Sequence, residues 1–138
     1  MNWFECKVSY EKKMETGLVK KVTELYLVDA LSHAEAEARI IEEMKPYISG
    51  EFSVSSVRRM KYTEIFFNES GDKYYKVVAA FITLNEKTGA ECKTRVNLLA
   101  QAFDLKDAIK IVETGMKGTM ADYEFSGLNE TMIMDVFP

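Results

Sequence analysis

The chain nearly repeats itself. Shifted by 72 positions, Thr16-Gly17 falls on Thr88-Gly89, Lys21 on Lys93, Leu27 on Leu99, Ala30 on Ala102, Ala36 on Ala108 and Met44-Lys45 on Met116-Lys117. One residue fewer restores the match further on. Glu51-Phe52 then meets Asp122-Tyr123, and Glu64-Ile65-Phe66 meets Asp135-Val136-Phe137. Two copies of one plan favour a fold with internal two-fold symmetry and make the groove between the copies the first place to look for a site. The expectation is a single domain over residues 1–138, with repeat 1 over about 1–67 and repeat 2 over about 73–138.

Each copy reads as strand, turn, strand, helix, strand. Trp3 to Tyr10 is rich in aromatic and β-favouring residues, and Gly17 can take the positive φ that a bulged hairpin needs. Ser32-His33-Ala34-Glu35 has capping-box spacing, and Ala36, Ile40, Ile41, Met44 and Ile48 follow at helical intervals. A third strand from Glu51 should bend or bulge near Ser55-Ser56 before running on through Lys61 to Phe67. Asn68-Glu69-Ser70-Gly71-Asp72 is the strongest turn signal and reads as a hairpin loop between the copies. In the second copy, Asp104 caps a helix with Leu105, Ala108, Ile109, Val112 and Met116 on one face, and a break is expected at Ser126-Gly127. The expected class is α+β: a tandem pseudo-two-fold repeat of ββαβ units, with both helices packed on antiparallel sheet. Whether the copies make one sheet or two is open.

Size and charge narrow the function. At 138 residues, 47 % of them apolar, one core can form without a metal or disulfide. A net charge of −4 argues against wholesale nucleic-acid binding. Cys6 and Cys92 lack CxxC spacing and read as reduced strand residues. The start of the chain has no basic or apolar leader, and the longest apolar run, Val77 to Ile82, is far too short to span a bilayer. A cytoplasmic location with no membrane partner is expected.

Catalytic signatures are thin. The one histidine, His33, falls at a helix start, and no GxSxG, HExxH, P-loop or dinucleotide fingerprint occurs. No spacing singles out an acid/base pair among Glu35, Glu42, Glu43, Asp122, Glu124, Glu130 and Asp135. No catalytic residue, cofactor or metal ligand is therefore assigned. Basic residues interleaved with aromatics are more suggestive. Arg58, Arg59, Lys61 and Tyr62 precede the central turn, and Lys73, Tyr74, Tyr75 and Lys76 follow it. Paired as a hairpin, they could stack bases and neutralise phosphates of single-stranded nucleic acid. The plainer reading puts the aromatics in the core and the cations in water, because strand residues alternate faces. Lys20-Lys21 and Lys93/Arg95 fall on matching strands, as a shared anion groove or as edge protection. Met116, Met120, Met132 and Met134, with Phe125 and Phe137, read as core filling or as an adaptable contact patch.

Several segments resemble an uncharacterised bacterial family, a domain of unknown function found chiefly in anaerobic gut bacteria and their mobile elements. They are Trp3 to Val8, Tyr26 to Ser32, Ala36 to Met44, Ile48 to Phe52 and Gly115 to Tyr123. The resemblance implies a stand-alone cytoplasmic protein and supplies no activity. At fold level the tandem halves also resemble duplicated single-strand-binding folds. The expectation is thus a non-catalytic binding or accessory protein, leaning to nucleic-acid metabolism. The rivals are a protein-interaction module or homodimer, and small-molecule binding or an enzyme in the inter-repeat groove.

Overall fold

The computed structural model describes residues 2–119 and 122–138. Among them the chain runs β1 (Trp3–Lys13), β2 (Val19–Asp29), α1 (His33–Met44), β3 (Phe52–Met60), β4 (Glu64–Phe66), β5 (Lys73–Leu84), β6 (Glu91–Ala102), α2 (Leu105–Gly115), β7 (Asp122–Glu130) and β8 (Ile133–Phe137). The fold is α+β, with the strands in two four-stranded sheets. These form two compact units, Met1–Lys61 with Met132–Pro138, and Tyr62–Thr131.

In the first unit the strand order is β3-β1-β2-β8. β1 and β2 form an antiparallel hairpin whose turn is Gly17, at φ 85°. β3 pairs antiparallel with β1, and β8 lies parallel to β2. Alternation sends Phe4, Cys6, Val8, Tyr26 and Val28 to one face, where Ala36, Ile40 and Met44 of α1 cover them. Ser32 caps that helix, its hydroxyl accepting from the Glu35 N–H at 3.1 Å. The expected bulge is present: Lys7 pairs with Ser56 and Val8 with Val54, leaving Ser55 extra.

In the second unit the order is β4-β6-β5-β7. β5 pairs antiparallel with β6 and β7, and β4 lies parallel to β6. Tyr75, Val77 and Ala79 of β5 and Leu98, Ala100 and Ala102 of β6 pack beneath Ala108, Val112 and Met116 of α2. Asp104 caps α2, accepting from the Asp107 N–H at 2.8 Å. Leu105, expected on the buried face, is 48 % exposed. The break near Ser126-Gly127 is a bulge, since Val78 pairs with Gly127 and Ala79 with Phe125.

Two expectations are corrected. The sheets are not wholly antiparallel, and the number left open is two. Each helix packs on its own sheet, and each sheet is mixed because its fourth strand runs parallel to its neighbour. Nor does the 68–72 turn close a hairpin. β4 pairs with β6 rather than β5, so the connection passes over the end of β6. Gln101 secures that crossing: its Oε1 accepts from the Asn68 N–H at 3.0 Å, and its Nε2 donates to the Gly71 carbonyl at 3.0 Å. The compact units therefore divide near Lys61 and Thr131, and each takes one strand from the other half of the sequence.

Candidate functional site

The basic and aromatic residues flanking the central turn are divided between the two units. Arg58 and Arg59 lie on β3, an outer strand of the first sheet. Arg58 reaches Glu5 at 3.5 Å, and Arg59 donates to Asn2 Oδ1 at 2.8 Å. Lys61 is exposed at the end of the first unit. Tyr62, Lys73, Tyr74, Tyr75 and Lys76 belong to the second unit, where Lys73 faces Glu130 at 3.7 Å and Lys76 is half-buried. Tyr62, Tyr74 and Tyr75 are buried, so none presents an open ring face for a base. Tyr74 and Tyr75 are successive residues of β5 and point to opposite faces of its sheet, and both are buried.

A different set does converge, within the first unit. Beyond the last turn of α1 a cleft of about 290 Å³ is lined by Tyr10, Glu24, Tyr26, Tyr47, Asp135 and Phe137. Strand register explains the gathering. Glu24 and Tyr26 sit two apart on β2, on the face that carries Val28, and Asp135 and Phe137 of β8 lie beside Tyr26 and Val28. Met44 and Ile48 form the floor where α1 ends, and Tyr47 stands out at the rim, 72 % exposed. The Tyr26 and Phe137 rings stack with centroids 5.9 Å apart.

Glu24 organises the polar side of this cleft. The Tyr26 hydroxyl donates to Glu24 Oε1 at 3.3 Å, and the Tyr10 hydroxyl also bonds to Glu24. Both phenols are shifted upward. For Tyr26 burial is the main cause, followed by the Glu24 charge; for Tyr10 the hydrogen bond to Glu24 leads. They therefore stay protonated well above neutral pH and remain donors. Among the described residues Glu24 has no Lys or Arg partner. The cleft thus combines aromatic rings with the Glu24 carboxylate, which no Lys or Arg neutralises among the described residues.

Residues 2–138 match a family described as a domain of unknown function, DUF4494. The chain belongs to the DUF4494 family. No curated protein and no solved structure matches it. The family match covers both units of this DUF4494 chain, so the exchanged strands fall inside one family domain.

Other chemistry-bearing residues are dispersed. His33 packs edge-on against Phe4 at 4.9 Å. Cys6 is fully buried and Cys92 exposed, both as free thiols; burial, with Glu37 and Glu5 adding to it, pushes Cys6 up to about 11. Among the described residues no group of three or more His, Cys, Asp or Glu is placed to hold a metal. Among the described residues no helix is long and apolar enough to cross a membrane. Met116 fills the second core, whereas Met132 and Met134 are exposed; Met120 lies outside the described residues. Sequence reasoning missed Glu24 and Tyr26 as site residues. The available signal was a lone acid on the apolar face of β2, next to a tyrosine.

Proposed function

We propose that the protein is a non-catalytic binding protein whose first-unit cleft receives an organic cation: a quaternary or primary ammonium, or a guanidinium side chain. The observation that carries this reading is the convergence of Tyr10, Tyr26, Tyr47 and Phe137 around the Glu24 carboxylate in one cleft. Ring faces attract cations by about 0.5–2 kcal/mol each, and a nearby carboxylate adds charge complementarity.

The two units further read as copies of one ββαβ plan with exchanged fourth strands. Phe137 lies opposite Val28 and Phe66 opposite Ala100, while Val8 meets Val54 and Ala79 meets Phe125. The first two partners agree with the offsets of 72 and 71 in the sequence repeat, whereas β1 corresponds to β5 at 71, one fewer than the 72 of β2 and β6. In that correspondence Glu24 becomes Val96, Tyr26 becomes Leu98 and Tyr10 becomes Phe81. The second copy packs those apolar residues into or against its core. Keeping polar groups at a position that tolerates apolar ones supports ligand binding over stability as their purpose.

Titration with choline, and with its neutral isostere carrying carbon in place of nitrogen, tests the reading by NMR. Choline should shift resonances of Tyr10, Tyr26 and Phe137, the isostere should bind at least several-fold more weakly, and Glu24→Gln should erase the difference. Equal responses to the two ligands would refute cation recognition. Self-association is a second reading, favoured by Met132 and Met134, 82 % and 54 % exposed, on and beside the outer strand β8. Sedimentation velocity that stays concentration-independent rejects it.

A further inference from the structure

The β1–β2 hairpin extends past the sheet that supports it. β3 pairs with β1 only from Trp3 to Tyr10, and β8 pairs with β2 only from Leu25 to Val28. Beyond those limits the two strands continue alone, Glu11 opposite Lys21, Lys12 opposite Lys20 and Lys13 opposite Val19. A two-stranded ribbon without a third strand is marginal on its own. Its composition adds to the cost. Lys12 and Lys20 are like charges directly across the ladder, an arrangement that destabilises a hairpin. Among the described residues none of Lys12, Lys13, Lys20 and Lys21 has an ion pair.

The end of the ribbon is aliphatic. Leu18 is 71 % and Val19 62 % exposed, with Met14 beside them at 41 %. These side chains, with Lys12, Lys13, Lys20 and Glu15, line one concavity at the tip. The second unit's hairpin has a different character: exposed Leu84 sits among Glu86, Lys87 and Glu91, which carry no net positive charge. Four lysines against Glu11 and Glu15 leave the first tip with net charge +2 in a chain of net charge −4, a local positive pole.

We propose that this tip docks peripherally on an anionic bilayer surface, its lysines on lipid phosphates and Leu18, Val19 and Met14 in the headgroup–acyl boundary. Charge complementarity selects an anionic partner. The absence of an aromatic ring from Lys12 to Lys21, with aliphatic side chains at the apex, selects lipid over single-stranded nucleic acid, which binds by base stacking. The proposal concerns surface attachment and uses a different site from the cation cleft, so either can fail alone.

Co-sedimentation of the full chain with vesicles of phosphatidylcholine and phosphatidylglycerol in equal parts tests it, with pure phosphatidylcholine vesicles and a fluorescent single-stranded oligonucleotide as comparisons. Binding is expected only to the anionic vesicles. Lys12→Ala with Lys20→Ala should lower the partition coefficient roughly 30-fold, and Lys12→Arg with Lys20→Arg should retain it. Leu18→Ser with Val19→Ser should lower it roughly tenfold while leaving the thermal melt unchanged. The proposal is overturned by failure to bind anionic vesicles, by binding that neither pair of substitutions weakens, or by tip variants that lose oligonucleotide binding while vesicle binding persists.

Discussion

Replacing Gly71 by alanine should cost far more than its place in a polar turn suggests. A Cβ built there would stand 2.6 Å from both Cα and N of Ala102 and 2.8 Å from its carbonyl carbon. All three are backbone atoms of β6, which cannot yield as a side-chain tip can. The loop must lift, and lifting it breaks both hydrogen bonds to Gln101. Two bonds at about 1 kcal/mol each, with about 1–2 kcal/mol of strain, give about 3–4 kcal/mol. That is a large part of the stability of a domain this size. Gly17→Ala is the control, because Gly17 has φ 85° but nothing within 4 Å of an added Cβ, so only the backbone penalty of about 1 kcal/mol applies. Urea denaturation followed by circular dichroism measures both. Gln101→Ala should reproduce about 2 kcal/mol of the Gly71→Ala loss. If Gly71→Ala proves no more destabilising than Gly17→Ala, the loop does not cross β6 as described.

Three further outcomes follow from the same packing. Ellman's reagent should titrate Cys92 at once in the folded protein and Cys6 only after denaturant is added, since Cys6 is buried and its thiol is pushed up to about 11. Stability should fall as pH rises from about 9 toward 11. In that window the unfolded chain loses the Cys6 proton that the folded chain keeps, and the raised Tyr10 and Tyr26 act in the same direction; Cys6→Ser should flatten the fall measured by urea midpoints across that range. Removing Met132–Pro138 takes β8 away from β2 at the opposite end of the sequence, so hydrogen exchange should speed up at Leu25 to Val28 while β5 and β6 stay protected.

Local signals were legible wherever neighbours in sequence decide the outcome. Ser32 and Asp104 cap helices because a hydroxyl or carboxylate lies three residues before an open N–H. Ser55 is a bulge residue, and the second break falls at Ser126-Gly127, because both places interrupt the alternation of apolar residues. The partner of a short strand was not legible. Glu64-Ile65-Phe66 carries no mark that sends it to β6 instead of β5; the decision lies in Gln101 and in the absence of a Cβ at Gly71, 30 residues apart in sequence. The site was hidden for the same reason. Clusters of Lys, Arg and Tyr in sequence drew attention to Arg58–Tyr62 and Lys73–Lys76, but β3 and β5 fall in different sheets and the tyrosines turn inward. Glu24 and Asp135 are 111 residues apart and meet only through the parallel pairing of β2 with β8.

That parallel pairing has a consequence for how the cleft is made. β1 and β2 can zip locally, and α1 can cover them, as soon as the first 44 residues exist. Asp135 and Phe137 arrive only with the final strand, after every residue of the second unit has been joined to the chain. Until then Tyr26 lacks the ring that stacks on it and β2 lacks its outer partner. The proposed cation site is therefore complete only once β8 has paired with β2. The exchanged strand then ties ligand recognition to the closure of the first sheet, which a cleft confined to β1, β2 and α1 would leave separate.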